Sequence, residues 1–334
     1  MKKLLLGFIP LLLTGAPAVA QMTSGVTGKQ DTSFSNPGAY RQAKKYHSNI
    51  PNLKLVEEFK LPTVQEKRNI VYCQMGDRAL SLDAFYPKKK TSAKTPAILL
   101  IHGGGWRSGN RQQHIPLAQR LADLGYVCFT AEYRLSTEAL YPAAVHDLKA
   151  AVRWIRANGK QFNVDTAKVT ALGFSAGGQL AALLGATNQK PAYEGENCLT
   201  KVSSQVQAVV DLDGTLSFVH PESGEGNDAK GISAATYWFG YPKKEKLALW
   251  EEASPLNQVG PTAPPFLFIN SSVDRMHAGR DDFRKILDQH KIYSQVHTFP
   301  DSPHTFPLFD PWFEPMVGYI DAFLKKVYAP KKKA

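Results

Sequence analysis

The sequence predicts an α/β fold, with a mostly parallel central sheet, helices on both faces and a short cap insertion. Two observations carry this. Apolar strand-like runs and helix-spaced segments alternate through most of the chain, which is the pattern of a parallel sheet covered on both sides. One stretch, residues 214–254, breaks that rhythm and is rich in Gly, Glu and aromatic residues. A chain of 334 residues with 43% apolar and 21% charged residues fits a soluble globular protein.

The elements follow in order. Ile70-Val71-Tyr72-Cys73 and Leu80 to Phe85 flank Met75-Gly76-Asp77-Arg78 and predict an antiparallel pair joined by a turn. Lys88 to Lys94 is a basic loop. Pro96 to Ile101 is continuously apolar, as a buried parallel strand is. Leu117, Leu121 and Leu124 mark a helix stopped by Gly125, and Tyr126 to Ala131 is the next strand. Ala144, Leu148, Ala151, Val152 and Ile155 share a helical face over Ala143 to Ala157, with Asn158-Gly159 as the stop. Strands are expected at Val169–Phe174, Val206–Leu212, Phe266–Asn270 and Tyr293–Phe299, and helices at Ala176–Ala186, Arg280–His290 and Met316–Val327.

The N-terminus reads as a targeting segment. Lys2 and Lys3 precede an apolar run from Leu4 to Leu13, and Ala18-Val19-Ala20 supplies a small-x-small cleavage pattern. The expectation is a signal peptide over 1–20, a mature start at Gln21, and a secreted or periplasmic protein. The run falls short of the about 20 residues that span a bilayer, and no later segment is apolar enough to do so. Residues 21–50 are polar and read as a flexible leader, leaving 51–330 as the catalytic domain with 214–254 as a cap-like insertion.

Of three cysteines, Cys128 lies in an apolar run and reads as a buried free thiol, so a large core rather than disulfides is expected to organise the fold. The formal charge is +11. Scattered lysines without a nucleic-acid motif point to a solvated surface rather than a nucleic-acid partner, with an anionic polysaccharide such as pectin left as an alternative.

Two motifs carry chemistry. Gly173-Phe174-Ser175-Ala176-Gly177-Gly178 follows a predicted strand and opens a predicted helix. That is the setting in which Gly-x-Ser-x-Gly presents a serine nucleophile on a sharp turn, with small neighbours making room. The helix behind Ser175 favours developing negative charge. His102-Gly103-Gly104-Gly105-Trp106 directly follows the strand Pro96–Ile101. A glycine run exposes backbone N–H donors that stabilise an oxyanion, and no Gly-Lys-Ser/Thr follows to make it a phosphate loop. His102 is read as orienting this loop.

On these two motifs the chain resembles the α/β-hydrolase serine esterases of the hormone-sensitive-lipase-like type and their bacterial carbohydrate-esterase relatives. Ala131-Glu132-Tyr133-Arg134-Leu135 and Tyr141-Pro142-Ala143-Ala144-Val145-His146-Asp147 support it, over roughly residues 65–328. The resemblance implies an α/β-hydrolase fold, Ser175 as nucleophile, and oxyanion donors from Ala176 and from Gly104 or Gly105. It also implies partners in the order Ser, acid, His.

Asp274, after the strand Phe266–Asn270, is the expected acid. The family's usual Gly-x-x-Asp has Ser271 in place of Gly here, while Asp281 and Asp282 fall in the following helix. Asp211 and Asp213 read as structural or substrate-contacting. His304, on the loop before the terminal helix, is the expected base. His297 sits inside a strand, and His277 and His290 lack the loop context.

Tyr237, Trp238, Phe239 and Tyr241 are expected in the core. Were they exposed, Trp238 together with Trp106 and Trp312 would offer faces for sugar rings. No metal or cofactor is expected, since no His/Cys cluster has zinc spacing. The expected reaction is hydrolysis of carboxylic esters, with acetyl groups on xylan, pectin or their oligosaccharides as leading substrates. Feruloyl esters or general short-chain esters are the alternatives. Less favoured are a serine peptidase, which lacks room for a propeller, and a non-catalytic carbohydrate-binding relative.

Overall fold

The computed structural model describes residues 20–47, 49–89 and 91–330. The signal-peptide expectation falls almost wholly outside the described residues. The strands are β1 (Lys54–Leu55), β2 (Val64–Met75), β3 (Arg78–Pro87), β4 (Thr95–Ile101), β5 (Val127–Ala131), β6 (Val164–Phe174), β7 (Ala208–Leu212), β8 (Phe266–Asn270), β9 (Ser294–Thr298) and β10 (Phe309–Asp310). The helices are α1 (Asn36–Tyr46), α2 (Ile115–Asp123), α3 (Ala143–Asn158), α4 (Ala176–Ala186), α5 (Ala234–Phe239), α6 (Leu247–Glu252), α7 (Pro255–Gln258), α8 (Arg280–Gln289) and α9 (Phe313–Tyr328).

Eight strands form one sheet in the order β2-β3-β5-β4-β6-β7-β8-β9. The β2–β3 and β3–β5 pairs are antiparallel, and every later pair is parallel. Alternate side chains along a strand enter opposite faces, and the sequence of β4 obeys this. Ala97, Leu99 and Ile101 pack with α3 and α4, whereas Ile98 and Leu100 pack with α1, α2 and α9. Continuously apolar strands therefore feed two cores at once, which is why this sheet carries helices on both faces.

Because all the central strands run the same way, their C-terminal ends form one rim. The loops at that rim carry Ser175, His304 and the Gly103–Gly105 run, so the topology brings residues distant in sequence to one place.

Three parts differ from the expectation. Residues 21–50 do not form a loose leader. They contain α1, capped by the Ser35 hydroxyl accepting from the Gly38 N–H and seated on the core through Ala39 and Ala43. β1 pairs with β10, so the N-terminal and C-terminal parts of the chain close against each other. Finally, Cys73 and Cys198 are disulfide-bonded, tying β2 to the loop after Tyr193, and Cys128 is the buried free thiol. The buried Arg153 guanidinium anchors the same loop by donating to the carbonyls of Asn197 and Cys198.

Candidate active site

Ser175 stands between the last residue of β6 and the first of α4, at φ 57° and ψ −122°. A side chain held at positive φ is strained, and the surroundings must enforce it. They do so by close packing. A Cβ at position 173 would overlap the Gly177 carbonyl, and a Cβ at 177 would overlap the Ile101 carbonyl. The Ser175 N–H donates to the Leu212 carbonyl at 2.8 Å, pinning the turn to β7. The two glycines of the motif are thus required by backbone-to-backbone contact.

His304 lies on the loop after β9, its ring against Phe174 at 4.9 Å between centroids. Its Nε2 is 2.8 Å from Ser175 Oγ. Its Nδ1 is 2.7 Å from Asp213 Oδ2. With Asp213 accepting at Nδ1, the ring carries its proton there and presents a lone pair to the serine hydroxyl.

Asp213 follows β7 at φ 56° and is fully buried. Besides the His304 N–H, it accepts from the Ser271 N–H at 3.0 Å and from the Ser271 hydroxyl. These donors satisfy the carboxyl oxygens where no water reaches them.

This corrects the sequence expectation. Asp274 is not a partner of His304. Its side chain is 97% exposed, in the turn Asp274–His277, and the nearest cation-capable group is His277 Nε2 at 3.9 Å. The acid comes from the end of β7, one strand earlier. The departure noticed at Ser271 is part of the reason. Where the family pattern has Gly, this chain has a hydroxyl that binds the Asp213 carboxylate. An aspartate directly after a buried apolar strand, with Gly214 behind it, was the available signal.

The glycine loop bends over Ser175. Gly103 fits without a side chain, since a Cβ there would lie 2.8 Å from the Phe174 carbonyl oxygen and 3.1 Å from the Ser175 Cβ. Gly104 and Gly105 take φ of 123° and 61°. The Gly103 N–H is occupied by the Gln113 side-chain oxygen at 2.7 Å. Among the described residues, the N–H groups of Gly104 and Gly105 carry no protein acceptor. Ala176 stands at the first position of α4, directly after Ser175.

His102 is buried and neutral. Burial lowers its pKa to about 4. Its ring stacks on Tyr133 at 4.5 Å, and its Nδ1 lies 2.8 Å from the Gly103 carbonyl. It supports the loop, as expected.

Trp238 lies in the core, as expected, and Trp106, offered as a face for a sugar ring, is buried with it. Trp106 is 4% exposed and Trp238 is 0% exposed, and their rings stack at 5.1 Å. The Trp106 indole donates to Gln179 of α4 at 2.9 Å, and Phe218, Phe239 and Trp250 close the cluster. Neither ring offers a face to a sugar. The apolar interior of the 214–254 insertion is what takes them in. Trp312, at the start of α9, is buried for the most part and lines a cavity of about 480 Å³ together with Asp301 and Ser302.

Asp211, two residues before the acid, is fully buried, and its Oδ1 accepts from the Gly214 N–H at 2.7 Å. Burial pushes its carboxyl well above the usual carboxylate range. Among the described residues, no group of three His, Cys, Asp or Glu side chains is placed to hold a metal ion.

Comparison with known proteins bears on the family and the fold. The family model BD-FAE matches residues 82–278, more than half of the chain. "Probable carboxylic ester hydrolase LipM" of Mycobacterium tuberculosis (strain ATCC 25618 / H37Rv) is 25% identical over 97% of this chain and 76% of its own length. The chain spans about half the length of two further curated relatives that it matches.

Among solved structures, a truncated carbohydrate esterase from gut microbiota superposes with a TM-score of 0.69 at 22% identity, covering 81% of this chain and all of that one. Propionate-bound Est2 of Thermogutta terrifontis gives a TM-score of 0.64 at 23% identity, over 83% of this chain and 98% of that one. The chain belongs to the BD-FAE family and is an α/β-hydrolase serine esterase by fold and kinship.

Proposed function

We propose that this protein hydrolyses carboxylic esters through an acyl-enzyme on Ser175, and that its substrates are acetyl groups on plant cell-wall polysaccharides or their oligosaccharides. One observation carries the reaction. His304 bridges Ser175 Oγ and Asp213 Oδ2 by contacts of 2.8 and 2.7 Å, in the elbow of an α/β sheet.

His304 Nε2 takes the hydroxyl proton as Ser175 Oγ attacks the ester carbonyl. Asp213 holds the tautomer and stabilises the imidazolium that forms. The carbonyl oxygen, becoming an oxyanion, turns toward the N–H groups of Gly104, Gly105 and Ala176. Such donors act where charge develops, and losing one typically costs about 10²–10³ in rate. The protonated His304 then gives its proton to the leaving alcohol. Water, deprotonated by the same nitrogen, releases the acid and restores the serine.

The substrate reading rests on three supports. The similar gut-microbiota protein is a carbohydrate esterase. Est2 holds propionate, a short acyl product. The N-terminal segment has the pattern of an export signal, which would place the enzyme where polymers are.

Acetate release from acetylated xylan, acetylated pectin and an aryl acetate, set beside hydrolysis of methyl ferulate, tests this. The reading expects acetate from a glycan and a clear preference for acetyl over feruloyl. Hydrolysis of methyl ferulate with no acetate from any glycan would replace it with a feruloyl esterase. No product from any ester would refute hydrolysis itself.

A further inference from the structure

The glycine loop is held from outside the catalytic motifs, by the chain N-terminal to the sheet. Residues 21–36, which turn where the Val26 N–H donates to the Thr23 carbonyl at 2.8 Å, attach to the rest of the molecule at several points. The Met22 N–H donates to the Gly240 carbonyl at 2.7 Å, and the Thr27 and Gly28 N–H groups donate to the Thr137 carbonyl at 2.8 and 2.9 Å. Gly25 lies flat on the Arg107–Tyr237 pair, whose guanidinium sits 4.1 Å above the phenol ring. A Cβ at Gly25 would approach Tyr237 Cδ1 to 2.5 Å and Arg107 Nη1 to 2.9 Å. Tyr237 is one helical turn from Ala234, and Ala234 in turn abuts Gly105.

Two of these attachments reach the ends of the Gly103–Gly109 loop. At its far end, the Gly109 N–H donates to the Asp31 carbonyl at 2.9 Å. At its near end, Gln113 acts as a bridge. Its backbone carbonyl accepts from the Asn36 side-chain amide at 3.0 Å, and its side-chain oxygen accepts the Gly103 N–H at 2.7 Å. Gln113 is buried, and its own amide nitrogen has no partner among the described residues. Only its oxygen is in use.

A loop of three glycines has little intrinsic preference for one conformation, yet the next two amides must point at one spot beside Ser175. We propose that residues 21–36 are a positioning strap. Acting through Asp31 on Gly109 and through Gln113 on Gly103, the strap fixes the Gly104 and Gly105 amides for the developing oxyanion. The proposal rests on the esterase reading above. Gln113 touches no reacting atom, so it is a positioning residue. Misaimed donors weaken transition-state binding more than ground-state binding, so the strap acts on kcat.

Three full-length variants, Gln113→Leu, Gln113→Glu and Gly25→Leu, test this with an aryl acetate, reading kcat, KM and Tm. Gln113→Leu removes the accepting oxygen and is expected to lower kcat by about tenfold or more with KM within about twofold. Gln113→Glu keeps an accepting oxygen and is expected to restore kcat to within a few-fold of native. Gly25→Leu pushes the strap off the Arg107–Tyr237 pair while leaving the Gly103–Gly105 backbone unsubstituted, and is expected to lower kcat with a preserved Tm.

Native-like kcat in both Gln113→Leu and Gly25→Leu overturns the proposal, and so does equal loss in Gln113→Leu and Gln113→Glu. If Gln113→Leu does not fold, Gly25→Leu decides alone. Absence of turnover in the native enzyme would instead sink the esterase reading, so the two failures are distinguishable.

Discussion

Replacing Asp213 by Asn, beside the same change at Asp274, separates the two candidate acids. Asp213 accepts three hydrogen bonds, from the Ser271 N–H, the Ser271 hydroxyl and His304 Nδ1. An asparagine oxygen keeps one or two of these. In one orientation its amide faces both the Ser271 hydroxyl, which can rotate, and the imidazole N–H, which must give way to the wrong tautomer; in the other it meets the Ser271 backbone N–H, donor against donor. Hydrogen bonds to a charged group are each worth about 1.5–3 kcal/mol. Losing the one to His304, with the electrostatic support of the imidazolium, removes about 3–6 kcal/mol from the transition state.

At about 1.4 kcal/mol per decade, that is a fall in kcat of about 10²–10⁴. Asp274 has a side chain 97% exposed, so Asp274→Asn is expected to leave kcat within about twofold, as surface changes do. Steady-state hydrolysis of an aryl acetate at neutral pH measures both. A large loss in Asp274→Asn with native-like Asp213→Asn would refute the reasoning.

Further outcomes follow from burial. His102 and His114 are held neutral by burial, with pKa values lowered to about 4 and about 3. Unfolded imidazoles protonate near 6.5, so as pH falls from about 6.5 toward 4 the unfolded chain binds the extra protons. Stability then drops by on the order of 1.4 kcal/mol per pH unit for each ring. Tm should fall clearly between pH 7 and pH 5, and an unchanged Tm would contradict the assignment.

Trp238→Ala is expected to lower stability by about 3–5 kcal/mol while leaving KM for a soluble glycan ester unchanged, because the ring is buried. A raised KM at native stability would return Trp238 to the substrate. Changing Cys73 and Cys198 together to Ser removes a cross-link spanning 125 residues and should cost about 2–5 kcal/mol in denaturant unfolding. No shift in midpoint would mean that the packed core alone holds the loop.

Much of this architecture is legible in the sequence, for physical reasons. β4 over Ala97–Ile101, the Val169–Phe174 half of β6, β7 and β8 are buried throughout and mostly apolar because both their faces are covered. Ser175 is legible because its turn requires glycine two residues before it and two residues after it. His304 is legible because chain order and loop position leave one histidine in that setting.

The acid was harder. Several aspartates follow strands, and which of them reaches the imidazole depends on the aim of one loop, set by donors from another. Ser271, read as a blemish at its own position, belongs to the environment of Asp213. α1 was missed because its buried stripe is only Ala39 and Ala43 among polar residues, a faint apolar signal. The Ser35 cap and Pro37 near the helix start were the usable cues. The sequence leaves the tryptophans open between core and substrate because it does not reveal which aromatic residues find one another in a core.

The central claim is that the residue-175 hydroxyl becomes covalently acylated, and one mass measurement reaches it directly. The native protein is treated with a small fluorophosphonate, weighed intact and then digested to locate the adduct, with Ser175→Ala as control. One adduct per chain on the Ser175 peptide, growing in step with lost aryl-acetate hydrolysis and absent from the control, is the predicted result. Full inactivation with the label on another residue, or undiminished hydrolysis by a fully labelled Ser175, would contradict the account.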